Sequence, residues 1–64
     1  MENMKMKLAR VELKLSQEGL AKKIGVSRQT INMIEKGEYN PSLQLCLKIC
    51  KALNRTLDQL FWEE

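Results

Sequence analysis

The sequence predicts an all-α domain of five short helices. Three observations carry that expectation. Ser16, Ser27, Ser42 and Thr56 each stand directly before a segment whose apolar residues have helical spacing, as helix-capping residues do. The breaks between these segments are short, and the one proline, Pro41, lies in GEYNPS, the only interruption longer than a turn. Nothing alternates apolar and polar residues for long enough to make a substantial strand. The 64 residues form a single domain, 1–64, and their 44% apolar content suffices for one compact core.

The first helix is expected from about Met4 to Leu13. Its apolar residues fall on two stripes, Met4/Leu8/Val11 and Met6/Ala9/Leu13. The second begins after Ser16 and runs QEGLAKKI, with Leu20, Ala21 and Ile24 on one face. The third begins after Ser27 and ends near Lys36. In the fourth, after Ser42, the spacing of Leu43, Cys46, Leu47, Cys50 and Leu53 predicts an inward stripe. The fifth is short, capped by Thr56, with Leu57, Leu60 and Phe61 apolar. Glu2 to Lys5 and Phe61 to Glu63 leave room for a very short terminal β-pairing.

Charge is unevenly distributed. Residues 1–55 hold eleven Lys/Arg and five Glu, a balance of +6, while residues 56–64 hold Asp58, Glu63 and Glu64, a balance of −3. A basic body with an acidic end suits a polyanionic partner. No apolar run approaches the roughly 18 residues that span a membrane, and no signal peptide stands out. The expectation is a cytoplasmic protein with no membrane contact. Cys46 and Cys50 read as small apolar core residues: a zinc site wants about four ligands, and the chain has no histidine. No metal, cofactor or small-molecule ligand is expected. Without histidine, a paired-carboxylate cleft or chain to spare for a pocket, an enzyme is excluded as a reading.

Two short helices joined by Gly25-Val26-Ser27 are the sequence form of a helix-turn-helix, over about residues 17–36. Gly25 supplies the positive φ that so tight a turn needs, and Ala21 is small where the helices pack closest. At 100° per residue, with Ile31 at 0°, Ile34 lies at about −60° and Glu35 at about +40°, which defines an inner side. Gln29, Met33, Lys36 and Asn32 then lie at about 160°, 200°, 140° and 100°, facing out. Arg28 stands at the helix start, where a side chain projects past the end. Arg pairs with guanine, and Gln or Asn with adenine, on major-groove edges. A helix entering the groove by its N-terminus presents Arg28 and Gln29 deepest.

Glu35 is the anomaly on this wheel, because an inward carboxylate is costly unless paired. Arg10 on the first helix is the natural partner, since a guanidinium can bind a carboxylate with two hydrogen bonds. That choice selects Met6/Ala9/Leu13 as the inner stripe of the first helix.

The run LSQEGLAKKIGVSRQTINMIEKGEYNPSLQLCLKICKALNRTLDQLF resembles the Cro/Xre-type helix-turn-helix regulators, which include phage repressors. The likeness spans about Met6 to Phe61 and rests on SQ, LA, GVS, Q-T-I, IE-x-G, NPSL and L-D-x-L. SRQTIN and YNPSLQL are most similar to short dimeric repressors of that group. The resemblance implies a five-helix, lambda-repressor-like domain. It implies base contacts from Arg28, Gln29, Asn32 and Met33. Phosphate contacts would come from Gln17, which would also buttress Gln29, and from Thr30, Lys36, Tyr39, Asn40 and the helix start at Ser42; helix N-termini attract anions independently of any family. Arg10 and Glu35 match the family's ion pair. A homodimer through the fourth and fifth helices is implied as well, and the aromatic chain end suggests Leu57, Phe61 and Trp62 in that interface.

Four positions depart from the family pattern. Gly19 stands where a charged helix former is usual and should weaken the second helix by roughly 0.5–1 kcal/mol relative to alanine. Cys46 and Cys50 replace alanine-like residues. Asn54 replaces the glycine that usually ends the fourth helix, and asparagine is the next best residue there. The function implied is a sequence-specific, double-stranded DNA-binding transcriptional regulator, read as a repressor at an operator. The rival reading is an antitoxin-like or protein-interaction module with weak DNA affinity.

Overall fold

Each helix begins where a side chain can take up an N–H group that a first turn leaves unpaired. The computed structural model describes residues 2–62 and places five helices there: α1 Met4–Glu12, α2 Gln17–Ile24, α3 Arg28–Lys36, α4 Leu43–Leu53 and α5 Leu57–Phe61. The side-chain oxygens of Asn3, Ser16, Ser27 and Ser42 each accept the N–H three residues on, at 2.9–3.1 Å. At α5 the cap is made from the other side. The Gln59 side chain accepts the Thr56 N–H at 3.0 Å, and the Thr56 hydroxyl donates to Asp58 Oδ1 at 2.6 Å.

Left-handed residues end α2, α3 and α4. Gly25 (φ 80°) closes α2, and Asn54 (φ 58°) closes α4 with its N–H and that of Arg55 returned to the Lys51 and Cys50 carbonyls. Lys14 takes φ 58° after α1, a conformation that costs a side-chain-bearing residue energy. In α2, a Cβ at Gly19 would stand 3.2 Å from Ser16 Oγ, the atom that caps its N–H, so a larger residue there would need that hydroxyl to shift by a few tenths of an ångström.

Met6, Leu20, Ile31, Ile49 and Leu53 are the fully buried centre, one or more from each of α1 to α4, with Leu60 of α5 closing the base. Burying a side chain of that size contributes about 1.5–3 kcal/mol. α2 packs on α3 and α4, while α1 lies across α3 and α5. Glu12 of α1 also pairs with Arg55 in the turn before α5.

Three expectations are corrected. Leu13 is not part of the inner stripe of α1; it is 44% exposed, because the helix stops at Glu12 and the chain turns away through Lys14. In α4 the buried stripe is Cys46, Ile49, Cys50 and Leu53, and Leu43 and Leu47 are exposed. Apolar residues occupy nearly every side of that helix, so spacing alone did not single out Ile49. The terminal β-pairing is replaced by one backbone and two side-chain hydrogen bonds, and no strand occurs among the described residues. Asn3 donates its N–H to the Glu35 carbonyl at 2.8 Å and its Nδ2 to the Leu60 carbonyl at 2.9 Å; Lys5 Nζ reaches the Trp62 carbonyl at 3.1 Å. Glu63, named in that pairing, lies outside the described residues.

Candidate nucleic-acid interface

The corner between α2 and α3 is set by backbone bonds. The Gly25 and Val26 N–H groups both return to the Ala21 carbonyl, at 2.9 and 3.0 Å, and Ala21 is buried beneath them. Ser27 then starts α3, accepting the Thr30 N–H at 3.1 Å, with the two hydroxyls 2.9 Å apart. Thr30 is half-buried by this arrangement.

The third helix has two chemically different sides. Its back is Ile31, Ile34 and Glu35, all buried. Its front carries Arg28, Gln29 and Lys36, exposed, with Asn32 and Met33 half-buried at the flank. Arg28 and Gln29 make no side-chain hydrogen bond among the described residues, so their donors and acceptors face solvent.

Glu35 is fully engaged. Arg10 donates from Nε to Oε2 at 2.8 Å and from Nη2 to Oε1 at 3.2 Å. The guanidinium is fixed in turn by the Leu15 carbonyl, which accepts Nη1 at 2.8 Å. Gln17 Nε2 adds a third donor to the carboxylate, to Oε1 at 3.2 Å. A buried ion pair holds only when its remaining polar atoms find partners, and no buried side-chain polar atom lacks one among the described residues. The same Gln17 nitrogen lies 3.2 Å from Asn32 Oδ1. Gln17 therefore supports Asn32 rather than Gln29, a correction to the buttress the resemblance implied. Sequence reasoning missed both the Leu15 carbonyl and the Gln17–Asn32 bond; a backbone acceptor and a choice between neighbouring amides leave no mark on spacing.

Residues 6–60 match the helix-turn-helix family. This chain belongs to that family, in its Cro/Xre type. It is 50% identical over 60 residues to an uncharacterized HTH-type transcriptional regulator of Bacillus subtilis, YgzD, covering 94% of this chain and 91% of that one. It is 53% identical over 57 residues to an HTH-type transcriptional regulator of Methanocaldococcus jannaschii, covering 89% and 86% of the two chains. The crystal structure of the restriction-modification controller protein C.AhdI from Aeromonas hydrophila superposes with a TM-score of 0.85 at 34% identity, over 92% of this chain and 89% of that one.

Against this helix-turn-helix frame the other sequence-named residues take their places. Tyr39, Asn40 and Ser42 are exposed on the segment joining α3 to α4, beyond Lys36 at the end of α3. The first turn of α4 begins there, its Leu45 N–H taken by Ser42 Oγ. Leu57 and Phe61 are half-buried against the core, and Trp62 is 67% exposed. Leu47 and Leu57 share a shallow hollow between α4 and α5. No helix among the described residues is long and apolar enough to cross a membrane, and no group of three or more His, Cys, Asp or Glu is placed to hold a metal there.

The two thiols of this helix-turn-helix protein are packing groups. Both are buried, and Cys46 Sγ lies 3.9 Å from the Pro41 carbonyl. Burial pushes both above the usual thiol value of 9.0, and for Cys50 the neighbouring Cys46 and Asp58 add to the rise. A thiol whose pKa is raised in the folded state leaves stability unchanged while it is protonated in both states. It costs stability once pH passes the unfolded value and the unfolded chain alone ionises. Denaturant titrations should therefore show a loss beginning near pH 9 that is smaller in a Cys46→Ala/Cys50→Ala variant. An equal alkaline loss in both proteins would show that the thiols do not contribute it.

Proposed function

We propose that this chain is a sequence-specific regulator of transcription, a repressor, that binds double-stranded DNA in the cytoplasm as a homodimer. The observation that carries the reading is the contrast across α3. Its back is fixed by a buried, fully bonded ion pair, while Arg28 and Gln29 on its front make no side-chain hydrogen bond among the described residues. A helix held so firmly with its donors and acceptors facing outward is suited to reading base edges. The family and the names of the relatives support the same reading.

In this reading Arg28, Gln29, Asn32 and Met33 meet bases. Gln17, Thr30, Lys36, Tyr39, Asn40 and the start of α4 at Ser42 hold the phosphates on either side. Leu57, Phe61 and Trp62 meet the second subunit, for which the exposure of Trp62 and the hollow beside Leu57 leave room.

Selection from a random pool of duplex DNA tests the proposal. The enriched sequence should contain two related half-sites with centres about 10 base pairs apart. Affinity for it should fall steeply with salt while remaining well above that for unrelated DNA. A pool that enriches no sequence, with only uniform, salt-sensitive binding, would overturn the proposal in favour of an interaction module.

A further inference from the structure

The Gln17 side chain fixes which atom Asn32 can offer to DNA. Glu35 is a carboxylate paired to Arg10 through two hydrogen bonds and so an acceptor only. The Gln17 atom 3.2 Å from Glu35 Oε1 must then be the amide nitrogen, since an oxygen there would face an anion. That nitrogen has a second proton, and it lies 3.2 Å from Asn32. The Asn32 atom receiving it must be the carbonyl oxygen. The Asn32 amide is thereby held with Oδ1 turned inward to Gln17 and Nδ2, a donor, left for whatever approaches the front of α3.

We infer that Gln17 is a positioning residue that makes Asn32 a donor-only probe of the major groove. It selects a base edge that accepts, guanine or thymine ahead of adenine, whose single acceptor N7 stands beside its N6 amino donor, at one position of each half-site. Cytosine is disfavoured there, because its amino group would meet Nδ2 donor to donor. Adenine loses the two-bond pairing with an asparagine, which needs Oδ1 facing outward. Both Gln17 amide protons are committed internally, so its remaining side-chain atom is Oε1, an acceptor that a phosphate would repel. Its part in phosphate binding then falls to its backbone N–H, in the first turn of α2, where no intrahelical partner exists. This inference rests on the DNA-reading proposal and names the chemistry of one contact within it.

Two variants and one measurement test it. Asn32→Asp keeps an oxygen toward Gln17 but replaces the outward donor by an acceptor. In pool selection the guanine or thymine at one half-site position should give way to cytosine, with a change of about fivefold or more in relative affinity. Gln17→Met releases the Asn32 amide to turn over, and adenine should become the preferred base at that same position through its two-bond pairing with asparagine. A Gln17 side chain that served only phosphate binding would instead lower affinity for all sequences alike. In the free protein, the Gln17 side-chain amide protons should exchange with water more slowly than those of exposed Gln29 and Gln44 by nuclear magnetic resonance. Wild-type selection of a sequence that neither variant alters at any position would overturn this inference while leaving the DNA-reading proposal intact. Equal exchange rates for Gln17, Gln29 and Gln44 would overturn it without reference to DNA.

Discussion

Glu35→Ala lowers the melting temperature by roughly 10 °C or more. The substitution strands the Arg10 guanidinium, 8% exposed, beside an apolar core with only the Leu15 carbonyl left to bind it. Breaking a buried ion pair by removing one partner costs about 3–5 kcal/mol. In a domain of this size each kcal/mol is worth about 4–8 °C. A 64-residue chain has little stability to lose, so part of the variant population should be unfolded at physiological temperature. Replacing both partners together, Arg10→Met with Glu35→Leu, should recover much of the loss, because no charge is then left without a partner. Thermal melts followed by circular dichroism of the single and double variants check both statements. A single variant that melts with the wild type would show that the pair does not hold α1 against α3.

The second large effect concerns binding and leaves folding alone. Arg28→Ala and Gln29→Ala should each cost about 1–3 kcal/mol of affinity for the selected DNA and broaden the bases tolerated at one position. Their melting temperatures should stay near the wild-type value, since both side chains are exposed and make no hydrogen bond among the described residues. Titration of each variant against the selected site and a scrambled one separates the two effects. If either variant keeps the affinity and the site of the wild type, α3 does not enter the groove by its N-terminus.

What could be read from the sequence was decided by short-range chemistry. Ser16 and Ser27 each cap within three residues, and the bounds of α2 and α3 in the structure are those that capping and the Gly25 turn predict. The inward position of Glu35 follows from a helix with only two strongly apolar residues, Ile31 and Ile34, on its back. The places where spacing failed are those where it was degenerate. α4 is apolar on most sides, so nothing local tells Ile49, fully buried, from Leu43, exposed. Leu13 was on the right stripe but beyond the end of the helix, and the left-handed turn at Lys14 has no glycine to announce it. The Gln17–Asn32 bond depends on which of two amides a distant carboxylate claims, and that is a property of the assembled corner.

The division of α3 into a wired side and an idle side has a consequence for how such proteins diversify. Arg28 and Gln29 can be exchanged for other residues at little cost to the fold, so new target sequences are reachable by single changes there. Asn32 is tied through Gln17 to the ion pair, and altering it disturbs a contact that the scaffold uses. Evolution of target choice in this chain should therefore run fastest at positions 28 and 29 and slowest at 32, with 10 and 35 as the fixed frame.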